Sequence, residues 1–252
     1  MYFDTHAHYD NNKFIEDRDA LLASMPENDI SLILNAASNL KTAKFSIRLA
    51  DKYPFIYASV GVHPHDSITM IDETLFELEK LLRHPKTVAI GEIGLDFHYD
   101  FSPRDVQVKR FREQLDLARK VNKPVIIHMR EATEETLDII SEYKDLTGVF
   151  HCFPGSWETA KIILDAGWYI SFTGVVTFKN ARKAIEVIEK MPMDRLLLET
   201  DCPYMSPEPL RGRRNNSINL KYIAQKIAEI RGLTIDEVAV ITKENGIKLF
   251  RI

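Results

Sequence analysis

The sequence predicts an α/β fold in which eight parallel strands, each followed by a helical segment, close into a (β/α)8 barrel. Strand-like and helix-like segments alternate through all 252 residues. Several strands are continuously apolar, as strands covered on both faces are. No Gly-rich phosphate loop follows the first strand, which argues against an open doubly wound sheet.

The strand candidates are residues 2–9, 30–37, 55–63, 87–94, 124–130, 148–153, 169–173 and 195–201. They are short, rich in Val, Ile, Leu and aromatic residues, and bounded mostly by Gly, Pro or Asp. Between them, apolar residues recur at helical spacing: Leu75, Leu78, Leu81 and Leu82, then Phe111, Leu115 and Ala118, then Leu137 and Ile140. Ser102-Pro103 reads as an N-cap followed by Pro at the first helical position. The series continues through Ile162, Ile163 and Ala166, through Ile185 and Ile188, and through Ile223, Ile227 and Ile230. A last helix is expected over Ile235–Phe250.

A chain of this length with 45% hydrophobic residues can bury one large core, so one domain spanning residues 1–252 is expected. No run of about 18 apolar residues is present to span a membrane. Met1-Tyr2-Phe3-Asp4 is already strand-like, with no basic leader region. Two cysteines, Cys152 and Cys202, form no disulfide framework and fit a reducing cytoplasm. A net charge of −4 argues against electrostatic coating of nucleic acid, although Arg211-Gly212-Arg213-Arg214 is a local basic cluster. Eleven prolines and modest charge fit a monomer, and no obligate protein partner is evident.

Six residues fall at the downstream ends of the predicted strands: His6, His8, Glu92, His128, His151 and Asp201. In a parallel barrel these ends share one face, where catalytic groups gather. His6 and His8 are two apart, which puts both imidazoles on one side of a strand. Alone, that pair is as compatible with chance as with a metal site, and a lone histidine in Ile126-Ile127-His128 is more often a satisfied core residue. The same arrangement recurs, however: Ile90 before Glu92, Ile126 before His128 and Val149 before His151. The apolar member would fill the barrel interior and the polar one would cap it. Nitrogen and carboxylate donors together suit Zn²⁺, Mn²⁺ or Mg²⁺. Six donors exceed the need of one tetrahedral ion, so two divalent ions are expected, with Glu92 as the bridge. Such ions, about 3.5–4 Å apart, stabilise the attacking and leaving oxygens of a displacement. Asp201 is the candidate base as well as a ligand.

Other residues stand around this set. His63, in Gly61-Val62-His63-Pro64-His65, is expected to meet substrate or support a ligand rather than to be purely structural. Arg130 points from the rim and suits a phosphate oxygen, against the plainer reading of a surface ion pair. Glu199, two before Asp201, would lie one layer deeper, where a hydrogen bond to a ligating imidazole would offset its burial. Cys152 and Cys202 each follow a candidate ligand by one, so strand alternation turns them away from the site.

These residues sit in Asp4-Thr5-His6-Ala7-His8, Gly91-Glu92-Ile93-Gly94-Leu95-Asp96, Pro124-Val125-Ile126-Ile127-His128-Met129-Arg130, His151-Cys152-Phe153-Pro154-Gly155 and Leu198-Glu199-Thr200-Asp201-Cys202-Pro203-Tyr204. With Gly61–His65, the ordered set resembles the successive motifs of the TatD-type metal-dependent deoxyribonucleases. It runs from the first residues to Asn245. The resemblance implies a TIM-type barrel of the amidohydrolase superfamily, a divalent-metal centre on the same six residues, and cleavage of DNA phosphodiesters, often from the 3′ end. Tyr204, Arg130, Arg211 and Arg213 would then hold phosphates or stack on a base. One departure stands out. After Arg211–Asn215 the family usually continues Glu-Pro, whereas Asn216-Ser217 stand here, which bears on substrate preference. The same scaffold hosts other chemistries. Hydrolysis of an amide, or of an ester including aminoacyl-tRNA, is therefore the competing reading. A non-catalytic barrel is disfavoured by the intact six-residue set.

Overall fold

The computed structural model describes residues 1–252. Eight strands form one parallel sheet in chain order: β1 (Tyr2–Ala7), β2 (Ile30–Asn35), β3 (Ile56–Val60), β4 (Thr87–Asp96), β5 (Val125–Arg130), β6 (Gly148–Phe150), β7 (Tyr169–Phe172) and β8 (Leu196–Leu198). Parallel neighbours need crossovers, and helices supply them. These are α1 (Arg18–Ala23), α2 (Leu40–Lys52), α3 (Asp72–Leu81), α4 (Arg104–Val121), α5 (Thr133–Ser141), α6 (Trp157–Asp165) and α7 (Arg182–Lys190). Two more, α8 (Leu220–Arg231) and α9 (Ile235–Phe250), follow β8. The sheet returns on itself just past β8. There Ala7 bridges Cys202, and the amides of Asp201 and His8 donate to the carbonyls of His6 and Cys202 at 2.9 and 2.8 Å.

Strand alternation sorts the apolar residues into two layers. Ile33, Ile127 and Leu196 face outward and pack with Leu115, Ile163 and Ile227 from the surrounding helices. Phe3, Leu34, Ile126, Val149, Tyr169 and Leu197 form a smaller inner cluster, which Leu249 and Phe250 of α9 close at the N-terminal ends of the strands. The barrel floor is therefore plugged with hydrocarbon, and its C-terminal face is left for polar groups. The last helix begins where the sequence places it. Thr234 Oγ1 accepts from the amide of Glu237, whose carboxylate accepts from the Thr234 amide, so two otherwise unpaired donors are satisfied.

Two local expectations are corrected. Ser102 does not cap α4: its hydroxyl donates to the His65 carbonyl at 2.9 Å and accepts from the Ile68 amide at 3.1 Å, so it serves the turn after β3 instead. Ile90 does not fill the interior before Glu92; it packs in the outer layer with Ile93 and Leu95. The β4–β5 register slips between Ile90 and Ile93, and this irregularity breaks the simple alternation and turns Glu92 inward. Ile126 and Val149 do occupy the interior below His128 and His151.

Candidate metal centre

Each of the six strand-end residues reaches the C-terminal face from a different local setting. His6 lies within β1, and His8 lies one residue past its end. Glu92 is mid-strand, because β4 continues to Asp96, and His128 lies within β5. His151 directly follows β6. Asp201 stands three residues past β8 in a left-handed conformation with φ 53°, which an Asp tolerates better than most residues.

Their donor atoms form two groups that share Glu92. In the first, His6 Nε2 lies 3.1 Å from His8 Nε2 and 3.3 Å from Glu92 Oε2. His8 Nε2 is 3.3 Å from Asp201 Oδ1 and 3.7 Å from Glu92 Oε2, and His6 Nε2 is 3.9 Å from Asp201 Oδ1. Four donors set about 2.0–2.1 Å from a tetrahedral ion stand roughly 3.3–3.4 Å apart, so these spacings bracket what an ion needs. In the second group, Glu92 Oε1 lies 2.6 Å from His128 Nδ1 and 2.7 Å from His151 Nε2, and those nitrogens are 3.2 Å apart. His63 Nε2 approaches the same oxygen at 3.4 Å.

The charge state of the array fits a cation. Burial alone would raise the Glu92 carboxyl, but His151 and His128 beside it hold it well below the usual carboxylate range. Burial likewise opposes ionisation of Asp201, and its hydrogen bond with His8 together with the charges of His8, His6 and His151 outweighs that cost. Burial pulls His8 down, yet Asp201 and Glu92 lift it to about 9. His151 is raised well above its usual value against its own burial, chiefly by Glu92 and then by Glu199. The carboxylates thus favour the protonated forms of His8 and His151, while burial lowers His6, and a divalent ion would supply that positive charge directly.

Outer partners orient the imidazoles. His8 Nδ1–H donates to the Ala36 carbonyl at 3.1 Å, leaving Nε2 for the site. His128 is held from the other side, with Nε2–H donating to Asp96 Oδ2 at 3.1 Å. Asp96 also accepts from His65 Nε2 at 2.9 Å, and His128 and His65 keep its carboxyl far below the usual range although burial opposes this. The rings of His6 and His151 stack with centroids 4.1 Å apart. Glu199 is fully buried beside them, with Oε1 3.4 Å from His151 Nδ1 and 2.6 Å from the Cys152 amide, and Oε2 accepting from Ser171 Oγ at 2.6 Å. His63 Nδ1 accepts from the His65 amide at 3.1 Å, so Nε2 carries the proton, and burial lowers the ring to about 4.

A cavity of about 630 Å³ opens over the two groups. His63, Arg130 and Tyr204 line it. The Arg130 guanidinium rests 4.7 Å from the Tyr99 ring, and the Tyr204 hydroxyl accepts from Asn11 Nδ2 at 3.0 Å. Arg211 and Arg213 are exposed and are not among the residues that line this cavity. The loop after β8 turns outward there: Arg211 packs over Phe178 at 4.4 Å, and Arg214 is tied by Asp17 at 2.5 Å. Cys152 departs from expectation. The strand has ended at Phe150 and Cys152 adopts φ 43°, so its side chain lines the cavity, where burial pushes the thiol up to about 12. Cys202 is fully buried and faces away.

Asp96 and Asp4 are the residues that strand-end reasoning missed. Asp96 carries a readable signal, since Glu92, Gly94 and Asp96 follow one another at period two on β4. Asp4 is fully buried two residues before His6. Its carboxylate accepts from the Thr200 amide at 2.9 Å, Thr200 Oγ1 at 2.6 Å and Ser217 Oγ at 2.6 Å, and so ties β1 to the loop that carries Asp201. Burial nonetheless raises it to about 7. Ser217 therefore does what a proline in its place could not, because its amide also donates to Tyr9 Oη at 2.9 Å. Asn216 is half-buried, off the cavity wall, and caps a short turn by accepting from the Ile218 amide.

Residues 3–251 match the model of the family described as TatD related DNase. The chain belongs to the TatD family. The Bacillus subtilis metal-dependent hydrolase YabD, itself uncharacterized, is 44% identical over 254 residues that cover 100% of both chains. A Citrobacter rodentium relative named 3'-5' ssDNA/RNA exonuclease TatD is 35% identical and covers 99% of this chain and 98% of its own. Among solved structures, the TatD homologue YjjV of Escherichia coli superposes with a TM-score of 0.94 at 31% identity, covering 100% and 98% of the two chains. This TatD-family chain is a metal-dependent hydrolase on a TIM-type barrel. No helix in it is long and apolar enough to cross a membrane.

Proposed function

We propose that this TatD-family protein is a two-metal phosphodiesterase that removes nucleotides from the 3′ end of single-stranded DNA. The observation that carries this reading is the splitting of Glu92, with Oε2 turned to His6 and His8 and Oε1 turned to His128 and His151. His6, His8, Glu92 and Asp201 would hold one divalent ion, and Glu92, His128 and His151 the other. Mg²⁺, Mn²⁺ and Zn²⁺ all suit these donors. Bound there, the ions supply Lewis-acid stabilisation of the charge that develops on the oxygens of a displaced phosphodiester. Asp201 is ionised and lines the cavity, so its carboxylate takes the proton of the attacking water. Neutral His63 presents Nε2–H to a phosphate oxygen, and Arg130 neutralises the phosphate from the rim. Tyr204, half-exposed at the mouth, offers a face for a base. The name of the Citrobacter relative favours DNA or RNA over an amide or ester substrate.

The test is release of nucleotides from 3′- and 5′-labelled single-stranded DNA by protein reconstituted with each metal in turn. Stepwise loss from the 3′ end is expected, and Asp201→Asn should slow it by about 10²–10⁴-fold. No release with Mg²⁺, Mn²⁺ or Zn²⁺ would reject the reading. Equal release by Asp201→Asn would trace the activity to a contaminant. Metal analysis should find two ions per chain, and one ion at saturation rejects Glu92 as a bridge.

A further inference from the structure

We infer that the side of the cavity walled by the loops after β6, β7 and β8 is a nucleobase subsite that grips a base by its faces without reading which base it is. This rests on the nuclease reading and extends it. The order of strands around the barrel divides the cavity. From the β2–β5 side come mostly polar groups, Ser38, His63, His65, Asp66, Asp96 and Arg130, with Tyr99 and Met129 as the exceptions. From the β6–β8 side come Phe153, Phe172, Val175, Val176, Ala184 and Met205, all apolar. The donor atoms of the metal centre lie between the two.

The apolar side is a built wall. Gly174, after β7, lies so close to the β8 loop that a Cβ on it would meet the Met205 carbonyl oxygen at 2.1 Å. The Glu208 amide donates to Thr177 Oγ1 at 2.8 Å, pinning the same two loops together. A Cβ on Gly155 would meet Phe153 Cζ at 2.4 Å, so the phenyl ring is set against that backbone. Phe153, Phe172 and Val176 are each at most 5% exposed, so this wall is preformed rather than recruited.

Between the apolar side chains the polar atoms are Cys152 Sγ and Thr173 Oγ1, which face each other at 3.5 Å, while the metal-centre residues His151 and Asp201 and the Tyr204 hydroxyl also line the cavity from these loops. A group bound here gains apolar contact and meets almost no donor or acceptor pattern. A nucleobase fits that chemistry, because every base has apolar faces and stacking tolerates any sequence. Its polar edge would stay hydrated, since Pro154 and Met205 at the outer end are exposed. A cavity of 630 Å³ takes a ligand of about one nucleotide's size rather than a duplex, which places the base of the terminal nucleotide here.

The experiment uses metal-loaded protein and oligonucleotides that differ only in the 3′-terminal unit: each of the four bases, or a base-free tetrahydrofuran analogue. KM should agree within about threefold among the four bases and rise about tenfold or more for the base-free end. Val175→Trp, which fills the subsite, should raise KM for base-bearing ends more than for the base-free end. Equal KM with and without a base overturns the inference, as does preference for one base by more than about tenfold. No release from any end overturns the nuclease reading and this inference with it, whereas release that ignores the base overturns this inference alone.

Discussion

Asp96 holds His128 by the ring nitrogen that faces away from Glu92: Nε2 donates to Oδ2 at 3.1 Å, while Nδ1 lies 2.6 Å from Glu92 Oε1. The carboxylate fixes which nitrogen carries the proton and leaves the other free for a metal ion. Removing such a partner typically costs about 10–100-fold in metal affinity. Asp96→Ala should lose affinity on that scale for one ion of the pair, measured by chelator competition, with the far-ultraviolet circular dichroism unchanged. Asp96→Asn keeps an acceptor oxygen and should lose less. Identical affinity in all three proteins would remove Asp96 from the site.

Metal uptake should release protons. Burial works against charge on His8, but Asp201 holds it to about 9, and Glu92 raises His151 well above its usual value against the same burial. Both are protonated at neutral pH without metal, and an ion must displace those protons. Affinity should therefore rise with pH, by about tenfold per pH unit for each proton displaced, and the His8 contribution should end near 9. His63, lowered to about 4 chiefly by burial, contributes nothing in this window. Titration calorimetry in buffers of different ionisation heat would count the protons, and affinity constant from pH 6 to 8 would contradict the charge assignment.

A proline at position 217 should harm this protein. Ser217 donates through Oγ to Asp4 at 2.6 Å and through its amide to Tyr9 Oη at 2.9 Å. Proline removes both donors inside a buried network, at about 1–3 kcal/mol for each group left unpaired. In a chain of this size each kcal/mol lowers Tm by roughly 2–4 °C. Ser217→Pro should therefore melt several degrees lower, and Ser217→Ala, which keeps the amide, should fall in between. A Ser217→Pro protein as stable as the parent would show that the Asp4 carboxylate finds another partner.

The basic residues should separate by position. Arg130 lines the cavity, while Arg211 and Arg213 do not. Arg130→Ala should raise KM for DNA about tenfold or more, the scale of a lost charge-assisted hydrogen bond. Arg211→Ala and Arg213→Ala should change it by less than about threefold, the range of rim charges screened by salt. The opposite ranking would mean that DNA leaves the barrel mouth over the loop after β8.

The alternation of strands and helices, the end of the barrel that carries polar groups, and the residues that meet there were legible in the order of residues alone. Periodicity and strand-end position are local properties, and a parallel barrel converts both into geometry: His6, Glu92, His128 and Asp201 converge because each strand end has one place on the ring. Features that depend on contacts between distant segments emerged only from the folded chain. The register slip before Ile93 turned Glu92 inward, and the left-handed residue at Cys152 brought a side chain into the cavity that alternation sends away. Asp4 reads as one more polar residue until Thr200 and Ser217, 196 and 213 residues further along the chain, close around it. Arg211 and Arg213 show the reverse: charge is visible in a sequence, but the direction in which a loop leaves a strand is set by what packs beneath it. Here that is Phe178 and Asp17, from elements on either side of the barrel seam.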